Sequence, residues 1–425
     1  MDRSNLVGRA VEIADVARNL ADELAQRALP EPSFEHGLPH PLRGDAPDSN
    51  VLAARVKLLG LLDEFRDLLT EPSLLGSQEL RSPSMSMLVL VRLGVFTSFP
   101  SEGTYVQDLA SRLNLGEHLV RRLLSHAATY HVFFQAKPDF FVHTAGSRVL
   151  AENEGLRAWI LIGLNETMPA TFRIADALMR YPNSEEPQHS GWNVQNSTDL
   201  PIFQAFANMP QYASVFSNAM TWYAQLPGYS PQYLIEYFPW VSAAEQIVVD
   251  VGGGIGHIAC ALVSHNPTVQ CIVQDRAEVI SPAEVAHHFE EIPAEQRRRI
   301  RFEVHDFFQA QPIHGADVYL LRQVLHNWSD KYARRILQAL IPALKPGAKV
   351  VLNERVVPGY GEAHYLEERE VRDYDMYMLG WQNSQERTRD DWNALLQEAD
   401  SRFKLTRVCK SPKSYLAVLE VIWDG

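Results

Sequence analysis

The segment VDVGGGIG, residues 249–256, decides the fold of the second half of the chain. A hydrophobic stretch that reads as a buried strand, QIVVDV, runs into the glycines, and a helical pattern follows them. Glycines in such a turn allow positive φ angles and let a ligand approach the backbone closely. The dinucleotide pattern GxGxxG fails because His257 takes the third glycine position, whereas GxGxG fits Gly252, Gly254 and Gly256. The turn is therefore a ligand site of the second pattern or a purely structural turn, and the glycines alone leave both open.

Strands and helices alternate around this turn. Short apolar runs separated by helical patterns predict strands at residues 246–251, 269–274, 300–304, 317–321 and 349–354. Such alternation predicts a parallel sheet with helices on both faces. The last two predicted strands, residues 403–408 and 414–421, are joined by a link that allows a hairpin but not a parallel crossover. We expect an α/β fold whose mostly parallel sheet carries one antiparallel strand.

The part of the chain before the sheet is predicted to be largely helical. Residues 1–30 carry one apolar stripe, a proline-rich segment at 29–50 predicts a linker, and residues 51–69 are helical again. Between residues 82 and 150, three short helices followed by two aromatic strands indicate a winged-helix arrangement. We therefore expect a helical extension with its linker, a winged-helix-like dimerisation domain, and a sheet domain with a helical segment, at residues 1–75, 76–165 and 166–425.

Composition argues against several classes of function. The formal net charge is −13, so although Arg121 and Arg122 on the third helix allow a DNA-binding interpretation, a packing or dimerisation module is favoured. The three cysteines form no CxxC pair, and no HExxH motif occurs, so we expect neither a disulfide framework nor a metal site. No apolar run approaches the ~18 residues of a membrane span, and the N-terminus lacks the apolar segment of a signal peptide. We expect a soluble cytoplasmic protein.

Residues suited to an adenosine ligand follow the next two predicted strands. Asp275 ends the second strand, where an acidic side chain can accept both ribose hydroxyls; taken alone it would more often cap a helix, but the glycine motif before it favours the ribose. Asp306 and Phe307 follow the third strand, where an adenine could be hydrogen-bonded at its edge and stacked. The GxGxG spacing is the form used by S-adenosylmethionine enzymes, so S-adenosylmethionine is the cofactor that we expect.

The segment LRQVLHNWSD, residues 321–330, follows the fourth strand. With VDVGGGIG before it and QERT, residues 385–388, after it, the chain resembles the plant and fungal O-methyltransferases of the caffeate/flavonoid type. The resemblance covers the chain from about Met87 to its end. It implies a class I methyltransferase domain with a Rossmann-like sheet, a winged-helix dimerisation module and a homodimer. The longer N-terminal part resembles the helical extensions of fungal secondary-metabolism members.

The resemblance also implies roles for single residues. It makes His326 the general base that takes a proton from the acceptor hydroxyl, with Glu354 and Glu386 flanking the ring. Glu386 is the weaker assignment, because SQERT replaces the more usual GGKERT. Arg322 stands where many plant members carry lysine, and it could bond the adenine or a neighbouring carboxylate. The plain alternatives are a core histidine at His326, a solvent-facing strand end at Glu354 and a helix start at Glu386.

Methionine and aromatic side chains are expected to line an acceptor site, although such residues at helical spacing are more often plain core. The candidates are Phe203, Phe206, Met209, Phe216, Met220, Trp222, Met376, Met378 and Trp381. They favour a small aromatic or polyketide-like acceptor of secondary metabolism. The alternative reaction is that of a related pericyclase or dehydratase, which uses the sulfonium electrostatically without methyl transfer. A non-catalytic dimeric binding protein is a third, weaker hypothesis.

Overall fold

The structure is a computed structural model that describes residues 6–35, 49–71, 82–240, 245–280 and 292–425. The chain forms two compact units: Met1–Asn165 with Ser214–Tyr223, and Glu166–Ala213 with Ala224–Gly425. Most of the linker predicted over residues 29–50, and the boundary predicted between residues 75 and 76, lie outside the described residues. Segment 214–223 belongs to the first unit although it lies within the second unit's sequence, and no pattern in the sequence indicates this.

Two long helices begin the first unit, α1 (Leu6–Gln26) and α2 (Ser49–Leu69). They share a small buried core of Leu20, Leu24 and Val51. The apolar stripes predicted for these helices are covered only in part, because Leu6 remains 47% exposed and Leu59 46% exposed. The periodicity predicts amphipathic helices correctly, but a pair of helices can bury only the face that it shares.

The rest of the first unit contains the predicted order of helices and hairpin. Its elements are α3 (Ser84–Arg92), α4 (Val95–Ser98), β1 (Thr104–Tyr105), α5 (Val106–Leu113), α6 (Glu117–Ala128), β2 (Phe133–Lys137), β3 (Phe140–His143), α7 (Ala145–Glu152) and α8 (Glu154–Ile162). The three strands pair antiparallel in the order β1-β3-β2. The first of the three short helices predicted over residues 82–150 ends at Arg92, because the backbone turns at Gly94, which has a φ of +64°. Leu90, Leu109, Leu124 and Phe141 are buried where the helices meet the sheet.

A helical segment precedes the large sheet. After a π-helical turn at Gly163–Thr167 come α9 (Met168–Thr171), α10 (Ile174–Arg180), α11 (Gly191–Asn196), α12 (Ile202–Ala207), α13 (Pro210–Ala224), a 3-10 turn at Pro227–Tyr229 and α14 (Pro231–Tyr237). A Cβ on Gly191 would lie 2.1 Å from the carbonyl oxygen of Ala170. Glycine is therefore required where α11 meets α9, because any side chain there would collide with backbone.

The second unit is built on a seven-stranded sheet with helices between its strands. The strands are β4 (Gln246–Val251), β5 (Val269–Asp275), β6 (Ile300–Val304), β7 (Val318–Arg322), β8 (Lys349–Glu354), β11 (Phe403–Lys410) and β12 (Ala417–Trp423), with a separate parallel pair of β9 (Val356–Val357) and β10 (Arg387–Thr388). The helices are α15 (His257–His265), α16 (Ala294–Arg297), α17 (Asp330–Leu340), α18 (Tyr365–Gln382) and α19 (Arg389–Ala399), with 3-10 turns at Leu325–Asn327 and Ile341–Ala343.

The sheet order is β11-β12-β8-β7-β4-β5-β6. Strand β12 is antiparallel to both of its neighbours, and the other pairings among β4 to β8 are parallel. The predicted mostly parallel sheet with one antiparallel strand is confirmed. Strand β4 lies between β5 and β7, so β5 and β6 are added on one side of it and β7 and β8 on the other. Ligands of open α/β sheets bind at the carboxyl ends of the strands at such a switch point.

Buried apolar side chains fill both faces of the sheet, including Val249, Leu321 and Leu352 on one side and Val248, Leu320 and Val351 on the other. This core fixes the carboxyl ends of β4, β5, β7 and β8 at one edge. Among the described residues, no helix has both the length and the apolar character needed to span a bilayer.

Candidate active site

The glycine turn joins β4 to α15. Gly252, Gly254 and Gly256 have φ angles of +72°, +59° and +88°, a region that residues with side chains rarely adopt. The N–H groups of Gly252 and Gly253 donate to the carbonyl oxygen of Gln274 at 2.8 Å and 3.1 Å. These bonds tie the turn to the end of β5 and hold its shape.

The space beside the turn differs between the glycines. A Cβ on Gly252 would lie 3.0 Å from Cγ2 of Val324 and 3.8 Å from the ring of Phe307, so these side chains pack against the turn at Gly252. A Cβ on Gly254 would meet no atom of the described residues within 4 Å. The turn therefore leaves room for a ligand against the backbone at Gly254, which is what a GxGxG cofactor site requires.

Asp275 lies directly beside this opening. Its Oδ2 accepts the N–H of Gly254 at 2.9 Å, and its Oδ1 accepts the N–H of Arg276 at 2.8 Å. Burial raises the pKa of Asp275, against the lowering effect of these two hydrogen bonds. A carboxylate oxygen can accept more than one hydrogen bond, so both oxygens retain capacity for the two hydroxyls of a ribose.

Asp250, at the end of β4, was not selected from the sequence as a site residue. A Cβ on Gly253 would lie 2.6 Å from its carboxyl group, so Asp250 lies under the turn. Its side chain is buried, and within the described part of the chain its Oδ2 has no hydrogen-bond partner. Burial raises the pKa of Asp250 to about 7, although the charge of Arg322 opposes the shift. An unpaired buried acceptor next to an open glycine turn fits a polar ligand bound there.

The other residues expected at the cofactor lie in different surroundings. Asp306 is exposed, and its Oδ1 accepts the N–H of Phe308 at 3.0 Å, which shapes the loop after β6. Phe307 faces Gly252. Arg322 is half-buried, and its guanidinium donates to Oδ1 of Asn353 and to the carbonyl oxygen of Tyr229. Burial lowers the pKa of Arg322 to about 10, so its charge is held inside the fold.

His326 lies in the 3-10 turn Leu325–Asn327 that follows β7 and is 6% exposed. Its Nδ1 lies 2.9 Å from Oε1 of Glu386. Because a carboxylate only accepts, we assign the proton to Nδ1, which leaves Nε2 with a free lone pair. Val324 directly precedes this turn, and its side chain lies next to the glycine turn, where a Cβ on Gly252 would be 3.0 Å from Cγ2 of Val324. The structure thus brings the imidazole to the same sheet edge as the glycine turn.

The two glutamates expected beside His326 make different contacts. Glu386 bonds the imidazole directly. Glu354, at the end of β8, instead accepts the N–H groups of Val324 and Leu325 through Oε1, at 2.9 Å and 2.8 Å. The Oε2 atoms of both glutamates have no hydrogen-bond partner among the described residues. Glu354 therefore shapes the backbone that carries His326, whereas Glu386 holds the ring.

Burial and charge oppose each other in this cluster. Burial by itself lowers the pKa of His326, but the neighbouring carboxylates, Glu386 first and Glu354 second, outweigh it and leave the pKa raised. Burial raises the pKa of Glu354 to about 7, and a protonated His326 would oppose that shift. The arrangement stabilises a positive charge on the imidazole, which is what a base acquires when it accepts a proton.

Arg387 connects the turn that carries His326 to the segment that carries Glu386, and it was not identified from the sequence. Its buried guanidinium donates to the carbonyl oxygens of Leu325 and Trp328, at 3.1 Å and 2.8 Å, and to Oδ1 of Asp330 at 2.9 Å. The N–H of Glu386 donates to Oδ1 of Asp375 at 2.7 Å. The signal for Arg387 was its place next to Glu386 in QERT, but a sequence does not tell a buried arginine from an exposed one.

Only some of the residues expected to line an acceptor site are brought together. Phe206 contacts Trp381, with ring centroids 6.3 Å apart. Met378 is buried and Met376 is 44% exposed, both on α18 of the second unit. Met220 and Trp222 belong to the first unit, where Trp222 packs against Trp159 at 6.0 Å and next to Gly155.

One face of α18 continues from this group to the imidazole. Tyr374, Met378 and Trp381 share a face at the i, i+4, i+7 spacing. The ring of Tyr374 is nearly parallel to that of His326, at 6° and a centroid distance of 6.3 Å. Among the residues that the structure describes, no three His, Cys, Asp or Glu side chains group as metal ligands would.

Known proteins with similar sequences point to the same chemistry. The O-methyltransferase domain family matches residues 184–402. The chain is 32% identical to O-methyltransferase kk1A of Curvularia clavata, over 99% of this chain and 98% of that protein. It is also 32% identical to O-methyltransferase pyvH of Aspergillus violaceofuscus, over 100% of both chains.

Solved structures share the fold. LepI in complex with SAM has a TM-score of 0.74 at 22% identity, over 98% of this chain and 100% of that chain. OxaC in complex with SAH and oxaline also has a TM-score of 0.74, at 19% identity over 98% of this chain and 100% of that chain. At these identities the likeness shows the fold alone.

Sequence identity to the curated enzymes extends over nearly the whole chain, and the glycine turn with Asp275 and Asp250 fits an adenosyl ligand. The chain therefore belongs to the S-adenosylmethionine-dependent O-methyltransferases, in the group of fungal secondary-metabolism enzymes related to the caffeate type.

Proposed function

We propose that this O-methyltransferase methylates a hydroxyl of a small aromatic or polyketide-like acceptor in secondary metabolism, with His326 as the general base. The buried pair of His326 and Glu386, joined at 2.9 Å, carries the proposal. His326 belongs to the turn that follows Val324, whose side chain lies next to Gly252, and Glu386 reaches the ring from residues 384–388. A base, a group that orients it and a cofactor turn are thus supplied at one edge of the sheet.

The cofactor would be held by the glycine turn and the strand ends around it. Bound S-adenosylmethionine supplies a methyl group that its sulfonium has already activated. The backbone of Gly252, Gly254 and Gly256 would take the adenosyl part, with Asp275 on the ribose hydroxyls. Asp306 and Phe307 would take the edge and the face of the adenine. Arg322 would act indirectly, because its guanidinium already donates to Asn353 and Tyr229.

The proton of the acceptor hydroxyl would go to Nε2 of His326. A phenol has a pKa near ~10 and histidine near ~6.5, so full transfer before attack would cost about 5 kcal/mol. Glu386 narrows that gap because it favours the protonated imidazole. We infer that the proton moves as the new bond forms. Glu354 would contribute by holding the 324–325 backbone at its place.

The acceptor class follows from the apolar side chains near this face of α18. Phe206, Met378 and Trp381 offer flat and flexible apolar contacts that suit a planar molecule. Met376 on the same helix, and Met220 and Trp222 of the first unit, remain proposed acceptor contacts. Only a small number of polar groups is needed to fix which hydroxyl reaches His326.

We further propose that the first unit serves as a dimerisation module and that the enzyme is a homodimer. Helix α2 leaves Leu59, Leu62 and Leu69 about half exposed, at 46%, 46% and 62%. Exposed apolar side chains on one amphipathic helix favour contact with another protein surface. A second copy of the chain is the partner that we propose.

The second candidate reaction is a pericyclic or dehydration step without methyl transfer. A solved pericyclic reaction enzyme shares the fold at a TM-score of 0.74 and 21% identity, which carries no argument about the reaction. The buried His326–Glu386 pair supports methyl transfer over a pericyclic step, which requires no proton acceptor, whereas a dehydration would use one, so the labelling experiment below decides between methyl transfer and dehydration.

The test uses S-adenosylmethionine with a deuterated methyl group and a panel of phenols, followed by mass spectrometry. We expect a product that carries the labelled methyl group, formed together with S-adenosylhomocysteine. Substrate that is consumed without gaining the label would support the second candidate. Protein that binds S-adenosylhomocysteine but labels no phenol would contradict the proposed acceptor class.

A further inference from the structure

Arg355 is a buried arginine, 4% exposed, that directly follows Glu354 at the end of β8. Its guanidinium carbon lies 4.3 Å from the ring centroid of Tyr374, 5.2 Å from that of Tyr415 and 5.7 Å from that of Tyr229. The guanidinium also donates to the hydroxyl of Tyr229. Its ion-pair partner Glu370 is 3.9 Å away and 54% exposed. Tyrosine rings therefore enclose much of this positive charge.

The backbone around Arg355 is fixed to the segment that carries Glu386. Residues 356 and 357 form β9, which pairs in parallel with β10 in the register Val356 to Arg387. The indole N–H of Trp392 donates to the carbonyl oxygen of Arg355 at 3.4 Å. The guanidinium thus has a defined position next to Tyr374, whose ring lies nearly parallel to the imidazole of His326.

Charged and titratable groups surround His326 from every element packed against it. They are Arg322 from β7, Asp330 from α17, Glu354 and Arg355 from the end of β8, Tyr374 and Asp375 from α18, and Glu386 and Arg387 from residues 384–388. Glu386 and Glu354 favour the protonated imidazole, and Arg355 opposes them. A base that is already protonated cannot accept a proton, so a nearby positive charge that opposes the carboxylates widens the pH range in which the base is neutral.

We propose that Arg355 is a positioning residue that fixes Tyr374 opposite the imidazole of His326 and, through its buried charge, opposes protonation of that imidazole. The inference rests on the proposed role of His326 as a base. It goes beyond that role because it names a group that widens the pH range in which the base is neutral. A merely structural arginine would affect stability but not the titration of His326.

The test follows the imidazole of His326 directly, by NMR titration of protein with isotopically labelled histidine. The signal is assigned by its loss in His326→Asn. Arg355→Met removes the charge, and Arg355→Lys keeps a charge of different shape. The matched control is Arg301→Met, because Arg301 is 60% exposed on β6, which is four strand positions from β8, or about 19 Å.

We expect Arg355→Met to move the titration midpoint of His326 upward, Arg355→Lys to restore most of the difference, and Arg301→Met to leave the midpoint in place. The pH profile of methyl transfer should lose activity on its acid side in Arg355→Met while the alkaline plateau is retained. An unchanged or lowered midpoint in folded Arg355→Met overturns the proposal, as does an equal shift in Arg355→Lys. Arg355→Gln is the second neutral variant, and if neither neutral variant folds, the arginine is structural and the proposal is withdrawn.

The NMR titration requires no acceptor. Absence of methyl transfer to every phenol would contradict the proposed function and leave the midpoint comparison intact. A midpoint that does not respond to Arg355 would contradict this inference and leave methyl transfer intact. The two failures are therefore distinguishable.

Discussion

Nδ1 of His326 lies 2.9 Å from Oε1 of Glu386, although the two residues are 60 positions apart in the chain. Both side chains are buried, with the carboxylate fully shielded from solvent. The pair fixes one tautomer of the imidazole and favours its protonated form, two properties that a general base for a weakly acidic hydroxyl requires.

Glu386→Gln keeps an acceptor for the Nδ1–H but removes the charge. Because the base must be neutral to act, activity falls below the pKa of His326, which Glu386 raises. The acid limb of the pH profile should therefore move to lower pH, while the rate on the plateau falls roughly 10- to 100-fold. Initial rates from pH 5 to 9 check this. Glu398→Gln, at an exposed glutamate paired with Arg334, is the control that should change neither.

Gly254→Ala should weaken binding of S-adenosylhomocysteine by about tenfold or more, because its Cβ would enter the space left for the ligand. Gly315 is a matched control, since its φ is +72° and a Cβ there also meets no atom of the described residues within 4 Å. Both variants should lose about 1 kcal/mol of stability from the left-handed backbone. Calorimetric titration measures the affinity of each variant for S-adenosylhomocysteine. Equal affinities in the two variants would show that the ligand does not bind at this turn.

Asp250→Asn should change how stability depends on pH. Burial raises the pKa of Asp250 to about 7 in the folded state, whereas an unfolded aspartate titrates near ~3.9. Between these values only the folded carboxyl keeps its proton, so its contribution to stability is lost as pH rises. The stability of the Asp250→Asn variant relative to wild type should therefore rise from pH 4.5 to 7.5. Urea unfolding measures it, and a difference independent of pH would show that Asp250 is ionised in the fold.

A double substitution, Leu59→Glu with Leu62→Glu, tests the proposed dimer. Charges on this half-exposed face of α2 should not disturb the small core of Leu20, Leu24 and Val51. We expect dimeric wild-type protein and a monomeric variant by analytical ultracentrifugation. Tyr360→Glu, at a fully exposed side chain, is the control that should remain dimeric. A wild-type monomer, or a variant that stays dimeric, would contradict this surface as the interface.

The sheet could be predicted because the pattern of each strand is local in the sequence. The strands at 246–251, 300–304 and 349–354 have the predicted bounds, since buried runs between helical patterns leave little choice. The single antiparallel strand followed from the short link before β12. Segment 214–223 could not be assigned to the first unit, because helical periodicity does not say which neighbour a helix contacts.

The site was harder to predict, because its contacts join distant parts of the chain. The motif identified His326, Glu354 and Glu386, but only the fold separates the glutamate that bonds the ring from the one that bonds the 324–325 backbone. Arg355 and Arg387 were missed because charge is usually a sign of exposure, and here both guanidinium groups are buried.

The central claim is that His326 takes the acceptor proton. The most direct measurement is the single-turnover rate of S-adenosylhomocysteine formation in His326→Ala at saturating S-adenosylmethionine, with His314→Ala, an exposed histidine of the same unit, as control. We predict a loss of about 10²- to 10⁴-fold in His326→Ala, with unchanged cofactor affinity and no loss in the control. A rate within about threefold of wild type, well below that range, would contradict the account.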